Sequence, residues 1–183
     1  EEVKALAEML QAPVVAYQNG RGILDERHYL SHTATAGAIL WRTCDVAIAI
    51  GSRLQGERMT WGMDDNIKIV HIDLDPTEIN RVMKPEHGIV ADAAEATGLL
   101  INALSKHNIK RPSREEEMLA VKAQAAEIME TKAGPQMGWI RAMRDVLPED
   151  GLFVDEFTQV GYVSRVGFPI YKPRHNVTPG YQG

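Results

Sequence analysis

Small and charged residues follow three apolar runs of the sequence, at the points where those runs end. Gly51 and Arg53 follow one run, Asp73 ends a second, and Asp92 follows a third. In an open parallel sheet, ligands bind beyond the carboxyl ends of the strands. Glycine lets backbone approach a ligand, arginine pairs with phosphate, and aspartate accepts from ribose hydroxyls or an adenine amine. Gly51, Arg53 and Asp73 therefore form a candidate nucleotide site.

Asp75 has a competing interpretation. The four residues that start at Asp75, of sequence DPTE, are a favourable helix start. An aspartate side chain accepts from the first helix N–H groups, and proline suits the first helical position. Capping is therefore favoured for Asp75, whereas ligand contact stays open for Arg53 and Asp73.

No motif of a familiar catalytic class accompanies these residues. The GRG at residues 20–22 lacks the third glycine of the G-x-G-x-x-G fingerprint, which disfavours a classical NAD dehydrogenase. The sequence has no P-loop, no G-x-S-x-G and no Cys/His cluster with metal-ligand spacing, so we predict no metal site. His71 is interpreted as a hydrogen-bonded core histidine, and Cys44, the single cysteine, as a small buried hydrophobe.

Apolar segments alternate with helical ones from residue 1 to residue 106. Strands are predicted at 12–17, 45–51, 68–73 and 88–90, and helices at 1–10, 35–43 and 93–106. Continuous apolar strands favour a sheet buried on both faces, and their alternation with helices favours parallel pairing. The predicted fold class is α/β, with a parallel sheet and helices on both faces.

The chain changes character after residue 106. Residues 107–113 are polar and predict a linker, and Ser113 is a predicted N-cap before three glutamates that suit a first helical turn. The Ala133-Gly134-Pro135 sequence breaks this helix. Later elements are predicted as a helix at 136–146, a strand at 152–155, a helix at 162–168 and a strand at 175–177.

Residues 151–183 are predicted to be poorly anchored. One strand and one short helix cannot bury a core alone, and an unpaired strand at 152–155 would invite pairing with another chain. We therefore expect high mobility of this segment or association through it.

Composition argues against two classes of partner. The 183 residues carry a net charge of −5 without a basic face, which disfavours nucleic-acid binding. No apolar run approaches the roughly 20 residues that cross a bilayer, so no membrane association is predicted. The single cysteine and the lack of a signal peptide favour a cytoplasmic protein. Because the chain starts within a predicted helix and stops in a loop, we expect a fragment.

The first half contains the segments APVVAYQNGRG (residues 12–22), CDVAIAIGSRL (residues 44–54) and VHIDLDPTEI (residues 70–79). Together they resemble the acetolactate synthase/2-keto-acid decarboxylase superfamily of thiamine-diphosphate-dependent enzymes. Residues 70–79 are similar to the HIDIDPxEI signature of the central domain, residues 44–54 to aDlllalGsRl, and residues 12–22 to iPvvtt…GkG. The three segments occur in the family's order and spacing, and this combination makes the resemblance specific.

A second block extends the resemblance. Residues 139–156 are similar to L…LPeDaivvtD, which opens the diphosphate-binding domain. In that family the following loop contacts the cofactor diphosphate; Thr158 and Gln159 occupy its place here, and Glu156 stands where some members carry an acid. Gly180 and Gly183 match the start of the glycine-rich turn beside the aminopyrimidine. The resemblance implies that these five residues contact thiamine diphosphate.

The resemblance also implies a domain organisation. Residues 1–106 would be a Rossmann-like central domain without its first strand, and residues 107–133 a linker and helix. Residues 134–183 would be an incomplete thiamine-diphosphate-binding domain. The whole enzyme would use thiamine diphosphate and Mg²⁺ on a 2-keto acid, as a homo-oligomer. The activating glutamate and the magnesium motif would lie outside this chain, so no catalytic residue is assigned and no turnover is expected.

Two further expectations concern nucleotides. Residues 31–37 lack the GMHG-like insertion of flavin-using members, so we expect FAD binding to be weak or absent. Central domains of this superfamily bind FAD, ADP or nothing. The alternative function is therefore a stand-alone adenine-nucleotide-binding or structural module.

Overall fold

The computed structural model describes residues 1–62 and 66–178. The chain forms two compact units. Unit 1 comprises Glu1–Leu6 and Leu40–Lys110, and unit 2 comprises Ala7–Ile39 and Arg111–Gly183. The division at 106 and 133 that the sequence suggests stays a prediction.

Short strands alternate with helices along the described residues. The helices are α1 (Glu2–Leu10), α2 (Ala34–Leu40), α3 (Gln55–Thr60), α4 (Ala93–Leu104), α5 (Glu115–Val146) and α6 (Gln159–Gly167). The strands are β1 (Val14–Val15), β2 (Ser31–His32), β3 (Val46–Ile50), β4 (Lys68–Asp73), β5 (His87–Val90), β6 (Phe153–Val154) and β7 (Asn176–Val177).

All strand pairs among the described residues are parallel, which confirms the α/β class. The strands form three sheets, with β1 beside β2, β3 beside β4 beside β5, and β6 beside β7. Helices flank these sheets. The predicted single sheet is divided, because β1 and β2 pair only with each other over two residues.

Unit 1 is built on the β3–β4–β5 sheet. Ile72 and Thr97 are fully buried, and Ala49 is nearly so. The strands are not covered along their whole length. Val46, the first residue of β3, is 49% exposed, and Val90, the last residue of β5, is 56% exposed. Cys44 is half-buried rather than buried.

Helix starts differ from the sequence predictions in three places. The DPTE sequence forms a turn instead of a helix, in which the Asp75 carboxylate accepts from the Thr77 N–H at 2.8 Å. Arg114 rather than Ser113 precedes α5, although the Ser113 hydroxyl accepts from Glu115 N–H at 3.2 Å. Helix α6 begins at Gln159, three residues before the predicted start, because Thr158 caps it.

Unit 2 has its own apolar core, so the prediction that residues 151–183 are poorly anchored is wrong for the described part, residues 151–178. The core consists of Ile140, Phe168 and Ile170, each at most 2% exposed. The ring of Phe153 stacks on that of Phe168 with centroids 3.8 Å apart. Strand β6 is paired as well, with Phe153 opposite Asn176 and Val154 opposite Val177. The missing apolar partners come from the second half of α5.

The predicted break in α5 is confirmed at Ala133. Its backbone has φ −146° and ψ 33°, which is not helical, and Pro135 follows two residues later. Proline cannot donate to the carbonyl four residues earlier and its ring crowds the preceding turn. The second half of α5 thereby takes its own direction and packs against α6.

Candidate functional site

A strand, a tight loop and a helix start form the candidate anion site of unit 2. Strand β6 ends at Val154, and α6 starts at Gln159. The Thr158 hydroxyl accepts from the Gly161 N–H at 3.0 Å and so caps the helix. The first N–H groups of a helix have no intrahelical acceptor, and the helix dipole favours negative charge there. The start of α6 can therefore receive a phosphate group.

Gly161 allows the loop to fold tightly against the first turn of α6. A Cβ atom at this position would lie 1.8 Å from the Glu156 carbonyl oxygen. Real side chains do not tolerate such a distance, so only glycine fits here. The loop backbone consequently stays close to the exposed start of the helix.

The residues predicted to contact thiamine diphosphate lie together where the structure describes them. Glu156, Thr158 and Gln159 are all exposed. The Glu156 carboxylate accepts from the Phe157 N–H at 2.8 Å. Gly180 and Gly183 lie outside the described residues. Whether any of the five contacts the cofactor stays a prediction.

A buried carboxylate stands directly before this loop. The side chain of Asp155 is fully buried and accepts from Arg165 Nε at 3.0 Å and from the Thr178 hydroxyl at 3.1 Å. The Arg165 guanidinium lies 4.8 Å from the ring centroid of Phe157 and 5.2 Å from that of Tyr162. Asp155 therefore ties the end of β6 to α6 and to the residue after β7.

The predicted nucleotide residues meet at one edge of the unit 1 sheet. Gly51 has φ 59°, and its N–H donates to Ile72 O at 2.9 Å, which places it beside the end of β4. The Asp73 carboxylate accepts from the Asp75 N–H at 2.9 Å. Asp92 is instead the N-cap of α4, since its carboxylate accepts from two backbone N–H groups of that helix.

Arg53 forms an ion pair with Glu78, which limits its availability to a ligand. One Glu78 oxygen accepts from Arg53 Nε at 2.6 Å, and the other pairs with Arg81 at 2.6 Å. The Arg53 hydrogen bond, together with Arg81, holds the pKa of Glu78 below its usual range. The Arg53 guanidinium is thus engaged by a carboxylate. The sequence analysis interpreted Glu78 only as part of a helix start. Nothing in the local sequence indicates that its carboxylate pairs with Arg53.

Two histidines are buried with unpaired ring nitrogens. His32 is 2% exposed, and neither ring nitrogen has a hydrogen bond of normal geometry among the described residues. His71 is 5% exposed, and its Nε2 lies 3.8 Å from Asp73 Oδ2. The prediction of a buried His71 is right, but the prediction that it is hydrogen-bonded is wrong at Nε2.

We expect His32 to make unit 2 sensitive to acid. Burial, with the charge of Lys122, lowers the pKa of His32 to about 4, against about 6.5 in an unfolded chain. The unfolded chain binds the proton first, so stability falls as pH drops from about 6.5 to about 4, by about 3 kcal/mol in total. Urea unfolding at several pH values measures this loss. His32→Leu should remove it and the exposed control His107→Gln should not; an unchanged pH profile in His32→Leu would contradict the assignment.

Within residues 1–62 and 66–178, no group of three or more His, Cys, Asp and Glu side chains is placed to hold a metal ion. None of the helices in this described part of the chain has the length and apolar character that a bilayer span requires.

Comparison with known proteins identifies the first half of the chain. Residues 1–100 match the family described as thiamine pyrophosphate enzyme, central domain. The chain belongs to this family. The match confirms the resemblance that residues 12–79 carry and agrees with the parallel α/β fold.

Curated relatives of this family member include enzymes of several activities. A 2-hydroxyacyl-CoA lyase of Arabidopsis thaliana is 35% identical over 105 residues, which are 55% of this chain and 18% of that protein. A probable acetolactate synthase large subunit of Methanocaldococcus jannaschii is 35% identical over 119 residues, 60% of this chain and 20% of that protein. A glyoxylate carboligase of Escherichia coli O157:H7 is 33% identical over 113 residues, 54% of this chain and 18% of that protein. The matched part spans about a fifth of these relatives.

Proposed function

We propose that this chain forms part of a thiamine-diphosphate-dependent enzyme that acts on 2-keto acids. Residues 1–106 supply its central domain, and residues 134–183 supply the opening of its diphosphate-binding domain, joined by the linker and helix at 107–133. The proposal depends chiefly on one observation: a parallel strand, β6, leads through a capped loop into α6. Named relatives that are synthases, lyases and carboligases support it.

The residues present fit a diphosphate at the start of α6. Thr158 fixes the loop by capping the helix, and the N–H groups of Gln159 and Val160 lie in the first turn, where acceptors are needed. Gly161 keeps the loop backbone close. Glu156 adds a negative charge at the same place, which suits a site that would also receive Mg²⁺; by resemblance, the motif that holds this ion lies outside residues 1–183. When bound, thiamine diphosphate supplies the electron sink for a carbanion.

Binding of the cofactor tests this function. In the full-length protein that contains these residues, Thr158→Ala removes a helix cap worth about 1 kcal/mol. We expect the Kd for thiamine diphosphate with Mg²⁺ to rise about fivefold or more. Isothermal titration measures this value, and Thr131→Ala, an exposed threonine of α5, is the matched control. Equal affinity in both variants and the wild type would refute a diphosphate site at α6.

The 183-residue chain alone should show no thiamine-dependent turnover of pyruvate. By resemblance, the glutamate that activates the cofactor lies in another domain. A pyruvate-consumption assay with added thiamine diphosphate and Mg²⁺ checks this expectation, and measurable turnover would overturn the proposed fragment.

Flavin binding should be weak or absent. Residues 31–37 lack the insertion of flavin-using members, and this stretch instead contains β2 and the start of α2. The absorption spectrum of the purified protein, recorded before and after denaturation, measures bound flavin. A yellow preparation that releases FAD would contradict this expectation.

An adenine-nucleotide-binding module is the second candidate function. The proximity of Gly51 and Asp73 at one sheet edge favours it. The pairing of Arg53 with Glu78 opposes it, since a nucleotide phosphate would compete with that carboxylate. Titration of ADP into the chain separates the candidates. Binding that Asp73→Asn weakens would support the module.

A further inference from the structure

Arg21 is a buried side chain of unit 2 that forms five hydrogen bonds. It is 1% exposed, and its Nε and Nη2 form a bidentate pair with Glu26 at 2.8 and 2.7 Å. Nη1 donates to the carbonyls of Ser164 and Arg165 at 3.0 and 3.1 Å, and Nη2 also donates to Phe168 O. All five N–H donors of the guanidinium are used. Three of them reach backbone carbonyls at the end of α6 and at its C-cap residue Phe168. Ser164 O also accepts from the Phe168 N–H at 3.0 Å.

The segment around Arg21, residues 18–26, also contacts the chain around β7. The Asn176 amide donates to Gln18 O at 3.0 Å, and the Thr178 N–H donates to the Asn19 side chain at 3.4 Å. Glu26 accepts from the Ile170 N–H at 3.1 Å. We call residues 18–26 the clamp segment.

Gly22 lets the clamp segment approach this closely. Its φ is 82°, and a Cβ atom there would lie 2.1 Å from Lys172 O. Lys122 of α5 holds the other side of the segment by donating to Glu26 O at 2.8 Å and His28 O at 2.6 Å. The clamp segment is therefore held by α5 on one side and by the chain at Lys172 on the other, in addition to its contact with α6.

We propose that the clamp segment positions the diphosphate-binding end of α6, with Arg21 as its positioning residue. A nine-residue helix moves as a rigid rod, so the anchor at its carbonyl end sets where its N–H end points. Thr158 fixes the other end locally by capping it. Arg21 touches neither cofactor nor substrate in this role. The inference depends on the proposed function, because it assigns the start of α6 to the diphosphate.

The first measurement is amide hydrogen exchange of the 183-residue chain without ligand. Arg21→Lys keeps the charge but cannot span two carboxylate oxygens and three carbonyls. We expect amides 162–168 to exchange at least tenfold faster in this variant. Arg141→Lys, on the exposed surface of α5 and paired with exposed Glu130, is the control and should leave them unchanged. Unchanged exchange in Arg21→Lys would overturn the clamp.

The second measurement is cofactor affinity in the full-length protein. We expect Arg21→Lys to raise the Kd for thiamine diphosphate with Mg²⁺ at least fivefold at a temperature where the protein remains folded. Met118→Ala removes a fully buried side chain near the start of α5, so it lowers stability while leaving the clamp hydrogen bonds named above in place. An equal loss of affinity in both variants would overturn the positioning role. If Arg21→Lys does not fold, Glu26→Gln takes its place, because it keeps the volume and removes one charge.

Different results would refute the proposed function and the positioning role of Arg21. A wild-type protein that does not bind thiamine diphosphate refutes the proposed function and the positioning role together, even where exchange shows the clamp. Wild-type binding with unchanged affinity in Arg21→Lys refutes the positioning role alone.

Discussion

Gly161→Ala should destabilise unit 2 by about 3 kcal/mol or more and abolish the diphosphate binding that we propose for the start of α6. The added Cβ would lie 1.8 Å from Glu156 O, so either the loop or the helix start must move. Backbone on both sides makes that movement costly. Urea unfolding gives the change in free energy, and titration with thiamine diphosphate gives the change in affinity.

Gly138 offers a matched control for this substitution. It lies in α5, and apart from its chain neighbours and the backbone of the helix itself, no atom lies within 4 Å of the position that a Cβ would take. Gly138→Ala should therefore stabilise the protein by about 0.5–1 kcal/mol, because alanine is the better helix residue. If Gly161→Ala were as stable as Gly138→Ala, the tight loop would not exist in solution.

Phe168→Ala should cost about 3–5 kcal/mol, the usual range for a fully buried phenylalanine. Phe168 is 0% exposed, stacks on Phe153, and lies below the Arg144 guanidinium, 5.0 Å from its ring centroid. Its removal leaves a cavity beside Ile140 and Ile170. Chemical denaturation of the purified chain measures the loss.

Trp139→Ala is the control for aromatic loss in the same unit. Trp139 is 67% exposed, and substitutions at such positions change stability by roughly 0.5 kcal/mol or less. Similar losses for Trp139 and Phe168 would show that the Ile140–Phe168–Ile170 core is not formed as described.

The fold of unit 1 could be predicted because its strands are continuous apolar runs. Strand β4 occupies residues 68–73 as predicted, and β3 and β5 differ from the predictions by one residue at their ends. Strand β2 was missed, since Ser31 and His32 carry no apolar pattern. Backbone hydrogen bonds create it, with Val14 donating to Leu30 O and Ala16 donating to His32 O.

The candidate site was predictable only in its local parts. A threonine at 158 is a recognisable cap, yet the helix was predicted from residue 162 because Gln159, Val160 and Gly161 do not look strongly helical. The backbone acceptors of Arg21 lie 143 to 147 residues further along the chain. No local pattern reports a partner at that distance, and Asp155 was interpreted only as the end of a strand.

The two stretches of chain that form unit 2 are synthesised at different times. Most of unit 1 is one continuous stretch, Leu40–Lys110, whereas unit 2 needs both Ala7–Ile39 and Arg111–Gly183. Domains generally fold as units during translation, starting from the amino terminus. On the ribosome, the clamp segment therefore emerges before its partners at residues 164–178 and cannot take its folded form until they follow. Arg21 stays hydrated, with its guanidinium in water, until translation has passed Phe168.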